Sequence, residues 1–432
     1  MILRKTKKRL YIFAKCVAYK DFLCYTAFNK TDLDIQIYEL LGAGYYIFVS
    51  RIFGKNCNDN AVIALRGDIM SFDQRKREEI RKYILSKVAL RDKDFVAKTM
   101  DNFGVTRLYM EEFIREAIRD EVIAEEPGMP CQYRLIEHIK EQQIDRKQNQ
   151  QEEDRLYAQY IEKELNGCNE NARRIWQYTC AEILNNAIEH SQGDRICIIV
   201  RTNALYSSVV IVDNGVGIFQ TLVEYMKENG WENPNSEDAL IELYKGKITS
   251  DSSRHSGEGI FFSSKAMTEF GIWSDAKIYK FGYGQAPDVI EHRLLAYASR
   301  LQDIGTLVMM TLENETSRKL SEVFDMYTDI DEGFIRTSIA VKEACLSGEP
   351  VARSQARRIC NRLDEFKEVI LDFSRVEVMG QGFADEIFRV FALEHPQVTL
   401  RPVNMIPEVV RMIRHVSRGQ IPGNVCLPGY SH

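Results

Sequence analysis

Apolar residues recur at helical spacing from Met70 onward. Ile80, Tyr83, Ile84 and Val88 share one face of a helix within SFDQRKREEIRKYILSKV. A second, short helix is expected over about Lys93 to Asp101. After a turn with Gly104, a third runs from Thr106 to Asp120, with Met110, Phe113, Ile114 and Ala117 on one face. The Thr106 hydroxyl suits an N-cap. Strand-like VIA (122–124), the turn EEPGMP (125–130) and CQYRL (131–135) read as a hairpin. Residues 140–165, rich in charge and free of Pro and Gly, predict a solvated connecting helix. Its sparse apolar residues (Ile144, Leu156, Tyr160, Ile161, Leu165) offer a weak seam for dimerisation.

The next pattern is denser. The helix NARRIWQYTCAEILNNAIEHS places Glu182, Asn186 and His190 at i, i+4 and i+8, in one narrow stripe. Ile175, Tyr178, Ile183 and Ala187 offer apolar contacts elsewhere around it. Strands CIIVRT (197–202) and SVVIVD (208–213) follow, and the second ends in Asp213-Asn214-Gly215-Val216-Gly217-Ile218. A polar stretch, Lys245 to Ser256, leads into Gly257-Glu258-Gly259-Ile260 and an apolar helix FFSSKAMTEF. Gly305-Thr306-Leu307-Val308 opens a late strand. From 333 to 418 helix and strand alternate: SQARRICNRLDEF, EVILDFS (368–374), GFADEIFRVFALEHP, VTLRPVN (398–404) and PEVVRMIRHV. That alternation predicts a small α/β sandwich.

Composition sets the class. At 432 residues the prior is about three domains. With 45% hydrophobic and 28% charged residues, the chain is neither disordered, collagen-like nor membrane-embedded. A net charge of −6 excludes a generic polyanion binder but leaves room for one locally basic module. The ten cysteines show no CxxC pair and no zinc spacing, so they read as free thiols in a reducing cytosol. The most apolar run, Leu40 to Val49, is about half a membrane span. The apolar stretch Leu10 to Ala14 is broken by Lys15, too early for a signal peptide. A cytoplasmic protein with no membrane partner is expected. Residues 1–69 hold three cysteines, six tyrosines and no proline, without a sustained period. They read either as a small α+β piece or as sequence upstream of a true start at Met70.

The residue types suggest nucleotide chemistry. A carboxylate one turn from an amide can orient or deprotonate a water while the amide oxygen holds Mg²⁺. An Asp ending a buried strand can accept from an adenine amino group, and nearby glycines let the backbone approach the ring. A glycine turn opening a helix offers N–H groups to phosphate. Taken singly, each has a plain alternative: a solvated helix face, or an ordinary Asp/Asn-Gly hairpin turn.

In order and spacing these segments resemble the GHKL ATPase family, which includes gyrase B subunits, sensor histidine kinases and anti-sigma-factor kinases. EILNNAIEHS (182–191) resembles its N box, DNGVGI (213–218) its adenine box and SGEGIFF (256–262) its second glycine box, with 219–256 as the ATP lid. The resemblance spans 166–318 and implies a Bergerat-type α/β sandwich binding ATP and Mg²⁺. It implies Glu182 as general base, Asn186 as Mg²⁺ ligand and Asp213 as adenine reader. Gly215, Gly217 and Thr306 would close the adenine pocket, while Gly257, Gly259 and His190 would meet phosphate. Lys245 and Lys247 would be lid cations sensing the γ-phosphate, or else solvated lysines. A histidine-kinase role is disfavoured: the sole upstream histidine, His138, lacks the usual Pro-containing context.

Residues 70–139 resemble the winged helix-turn-helix family. That implies DNA contact through Thr106, Arg107, Tyr109 and Arg115. Glu111, Glu112 and Glu116 on the same helix would repel phosphate and keep a protein partner open. DFSRVEVMGQGFADEIFRVF resembles a STAS-like domain that accompanies GHKL modules and, more distantly, the anti-sigma-factor antagonists. Those carry a phosphorylatable Ser where this chain has Gln381, flanked by Gly380 and Gly382. A docking role with a regulatory protein is therefore expected for residues 330–418. The expected fold is α/β multidomain: winged helix, charged helical linker (140–165), GHKL sandwich, STAS-like domain. The expected function is a bacterial transcription regulator, with a homodimer as a candidate assembly. In it, binding and hydrolysis of Mg-ATP and closure of the lid control the flanking domains. A serine protein kinase acting on a partner is the alternative.

Overall fold

The computed structural model describes residues 74–248, 258–282, 287–345 and 348–427, together with three short strands, β1 (Val17–Tyr19), β2 (Phe22–Tyr25) and β3 (Tyr38–Glu39). The other residues of 1–69, and the open question of a start at Met70, lie outside this description. The chain divides into two compact units, 1–134 and 135–432.

In the first unit, α1 (Gln74–Ala89) buries Ile80, Ile84, Leu85 and Val88. It is followed by α2 (Phe95–Phe103) and α3 (Arg107–Arg119). Gly104 ends α2 at φ +64°, a left-handed position that suits glycine. Thr106 caps α3 by accepting from Tyr109 N at 3.2 Å. A two-stranded sheet, β4 (Ile123–Glu126) and β5 (Met129–Leu135), completes the unit. Phe95 and Tyr133 meet edge to face at 5.9 Å.

The second unit is built on a six-stranded antiparallel sheet. Its strands are β6 (His138–Asp145), β7 (Arg195–Thr202), β8 (Tyr206–Asp213), β9 (Glu269–Ser274), β10 (Lys277–Gly282) and β11 (Thr306–Glu313), in the order β10-β9-β11-β8-β7-β6. The expected connecting helix at 140–165 is thus corrected. Residues 138–145 are an edge strand; helix resumes beyond it in α4 (Glu153–Tyr160), packed on the next helix, and in a 3₁₀ turn at Glu162–Glu164. Likewise the helix expected over 261–270 stops at Ala266, because Glu269 and Phe270 join a fully paired strand.

Alternation along the central strands feeds two cores. Val209, Ile211, Val308 and Met310 face α5 (Glu170–Asn185), with a π-helical extension Asn186–His190, and α8 (Gly259–Ala266). Val210, Val212, Leu307 and Met309 face Ile290, Leu294 and Tyr297 of α9 (Pro287–Ala298), a helix the sequence reading passed over. Between β8 and β9 lie α6 (Ile218–Glu228) and α7 (Ser236–Lys245).

After β11 come α10 (Leu320–Tyr327) and a short hairpin, β12 (Thr328–Asp329) with β13 (Gly333–Phe334). A parallel sheet follows: β14 (Arg336–Ala340), β15 (Glu368–Asp372) and β16 (Thr399–Val403). It carries α11 (Val341–Ala344), α12 (Arg353–Cys360), α13 (381–394) and α14 (Pro407–Val416). Its core is continuous with that of the larger sheet. Among the described residues no helix is long and apolar enough to cross a membrane.

Candidate functional site

A cleft of about 400 Å³ opens between α5, α6, α8 and the ends of β8 and β11. That is within the usual size of small-molecule sites. Its lining brings together Glu182, Asn186, His190, Asp213, Gly217, Gly259 and Thr306, which are widely separated in the chain. Asn169 caps α5 by accepting from Ala172 N at 2.9 Å, and Trp176, Cys180 and Leu184 bury the opposite face. The helix widens to a π turn at Asn186–His190, which begins and ends on two cleft residues; such turns favour functional positions.

The cleft floor is set by backbone packing. Asp213 is 6% exposed, and its Oδ1 accepts from Gly215 N at 2.9 Å and Thr306 N at 3.3 Å. Burial raises its pKa, against the hydrogen bonds from Gly215 and Thr306, which lower it. Thr306 pairs with Asp213 across the sheet, and its Oγ1 accepts from Ile218 N at 3.1 Å. Gly217 has φ +90°, and a Cβ there would stand 2.6 Å from Ser274 Oγ. Gly215 stands behind the wall, with its Cα against the Ser191 backbone. Asn214 pins the loop by accepting from Asp194 N and Arg195 N at 3.0 and 2.8 Å.

At the other end, the Glu182 carboxylate lies against the Cα of Gly259, the first residue of α8. Glu258 also lines the cleft. The Tyr178 hydroxyl, one turn before Glu182, has its pKa raised by burial first and by Glu182 and Glu258 next. Tyr178 therefore belongs to the cleft, as do Ile183 and Ala187, whereas Ile175 stays in the core. Phe324 of α10 meets Tyr178 edge to face at 5.4 Å. The sequence reading missed Tyr178 and Phe324 as cleft residues. Tyr178 had a signal, since it lies four residues before Glu182.

The lid lysines are placed elsewhere. Lys245 is 1% exposed, so it is not a solvated lysine. Its Nζ donates to Glu242 Oε1 at 2.5 Å, Arg358 O at 3.1 Å and Asn361 O at 2.5 Å. Lys247 donates to Glu365 O at 2.8 Å and lies 4.4 Å from the Phe366 ring centroid. Gly257 falls outside the described residues. In the first unit, Arg107 and Arg115 are exposed on α3, Tyr109 is half-buried, and Arg107 pairs with Glu111 at 3.2 Å.

The chemistry of the cleft residues is compatible with a nucleotide. The cleft holds a buried carboxylate at its floor, backbone approach at Gly217, and a helix start at Gly259 too tight for any side chain. Asn186 lines the same cleft, and its amide oxygen is of the hard type that Mg²⁺ prefers. No curated protein is similar enough to match the chain. A family model described as a STAS-like domain of unknown function (DUF4325) matches residues 355–410, from α12 into α14. The C-terminal part of this mixed α/β chain is therefore a STAS-like domain.

Proposed function

We propose that residues 166–318 form a GHKL-type module that binds and hydrolyses ATP with Mg²⁺, and that nucleotide state controls the flanking modules. The observation that carries this reading is the convergence of Glu182, Asn186, Asp213, Gly217, Gly259 and Thr306 on one cleft. Asp213 would accept from the adenine amino group, with Gly217 and Thr306 closing around the ring. Gly259 and His190 would meet the phosphates, and Asn186 would hold the metal. Bound Mg²⁺ would neutralise phosphate charge. Glu182, held on the Gly259 backbone, would orient a water and take its proton.

The output modules follow from what each presents. Three helices and a hairpin with exposed Arg107 and Arg115 support a winged helix with a DNA or protein partner. The STAS-like domain, with Gln381 in place of a phosphorylatable serine, supports docking of a regulatory protein. Calorimetry with ATP and a turnover assay test the core of the proposal. Absence of ATP binding to the intact chain would overturn it.

A further inference from the structure

The end of α7 and the residues that follow it, 243–248, have two faces. Leu243 and Ile248 line the cleft, whereas the lysines between them reach the STAS-like domain. The two lysines are held differently. Lys245 is enclosed, meets three acceptors including the Glu242 carboxylate, and is further fixed by Thr337 Oγ1, which donates to its carbonyl at 2.8 Å. It is a permanent anchor. Lys247 is only part-buried. Among the described residues its hydrogen-bond acceptor is the neutral carbonyl of Glu365, supplemented by the faces of Phe366 and Phe334. Burial lowers its pKa, while the charge of Glu365 first, and then that of Glu258 of the cleft, favours its ammonium. A neutral carbonyl is a weaker partner for an ammonium than a phosphate oxygen.

We infer that the 361–366 turn of the STAS-like domain is a latch that holds Lys247 off the nucleotide, and that a terminal phosphate competes for Lys247 and frees the turn. This rests on the ATP-site reading above. It assigns the STAS-like domain a role inside the nucleotide cycle: it reads triphosphate against diphosphate through one cation. Lys245 keeps the domain attached while Lys247 exchanges partners.

Amide hydrogen exchange on the full chain tests this. The amides of Asn361, Glu365 and Phe366 are hydrogen-bonded to Arg357 O, Arg362 O and Leu363 O, so their protection is measurable. In the wild type, a non-hydrolysable ATP analogue should speed their exchange about tenfold relative to ADP, the weight of one charge-assisted hydrogen bond. Lys247→Met keeps an apolar stem over Phe366. It should show the faster exchange without nucleotide and no further change with the analogue. Calorimetry on the same samples separates the two ideas. Binding of both nucleotides with unchanged exchange at 361–366 overturns the latch and leaves the ATP site standing. No binding of either nucleotide overturns both.

Discussion

Glu182 and Gly259 meet so closely that any Cβ at position 259 would overlap Glu182 Oε2. The contact joins the middle of one helix to the first residue of another and fixes the carboxylate without a side-chain partner from Gly259. Glu182→Ala should therefore keep ATP affinity yet lose turnover by about 10²–10⁴-fold, the contribution of a positioned general base. Gly259→Ala should lose turnover similarly, because its methyl expels the carboxylate. In the double variant the methyl has room, so the second change should cost little more. Additive losses in steady-state kinetics would show that the contact does not position Glu182. Asn186→Ala should differ from both by losing the Mg²⁺ dependence of ATP binding.

Asp213 predicts opposite effects on binding and stability. Replacing it with Asn removes a charge-assisted acceptor for the adenine amino group, so ATP affinity should fall about tenfold or more. The folded protein holds the Asp213 proton more tightly than the unfolded chain does, since burial raises its pKa. Ionisation therefore costs stability as pH rises through the carboxylate range. Asp213→Asn should be at least as stable as wild type near pH 7 while binding ATP more weakly. A variant that loses both equally in calorimetry and thermal melting would reduce Asp213 to a structural residue.

Lys245 joins the sheets through a buried pair. Removing one member leaves Glu242, 4% exposed, short of its nearest cation. Lys245→Met should destabilise the second unit by about 3–5 kcal/mol, the usual cost of orphaning a buried charge. Adding Glu242→Leu should restore much of that loss. Denaturant unfolding of the single and double variants checks both signs, and an unaffected single variant would refute the anchor.

What the sequence disclosed depended on whether a segment had one buried face. PEVVRMIRHV was legible to the residue, because Val409, Ile413 and Val416 are buried on one side of α14. The Glu182–Asn186–His190 stripe was legible because it faces one cleft. HIKEQQID was not: in β6 only Ile144 is buried, so the strand shows no alternation and reads like a solvated helix. The contacts of Lys245 and Lys247 were hidden for another reason. Their acceptors at Arg358, Asn361 and Glu365 are backbone carbonyls, which leave no mark on side-chain pattern.

Lys265 gives the second unit a pH signature. It lies on α8, 2% exposed, with its Nζ donating to Ser338 O at 3.3 Å and standing 3.9 Å from the Phe281 ring centroid. The Phe261 ring centroid is 5.1 Å away, and the Asp372 charge favours its ammonium. Burial dominates and lowers its pKa from 10.5 to about 7. Between those two values the unfolded chain binds the extra proton and the folded chain does not. Stability from this residue therefore rises with pH across that window and is lowest below about 7. Lys265→Met keeps the stem's packing and removes the titration. The stability gained by the variant over wild type should be largest near pH 6 to 7 and shrink toward about pH 10, where wild-type Lys265 is neutral in both states. Denaturant melts of the two proteins across that range measure the difference directly, so that other titrating groups cancel. A gap that stays constant with pH would mean that Lys265 keeps its ordinary pKa through partners that offset its burial.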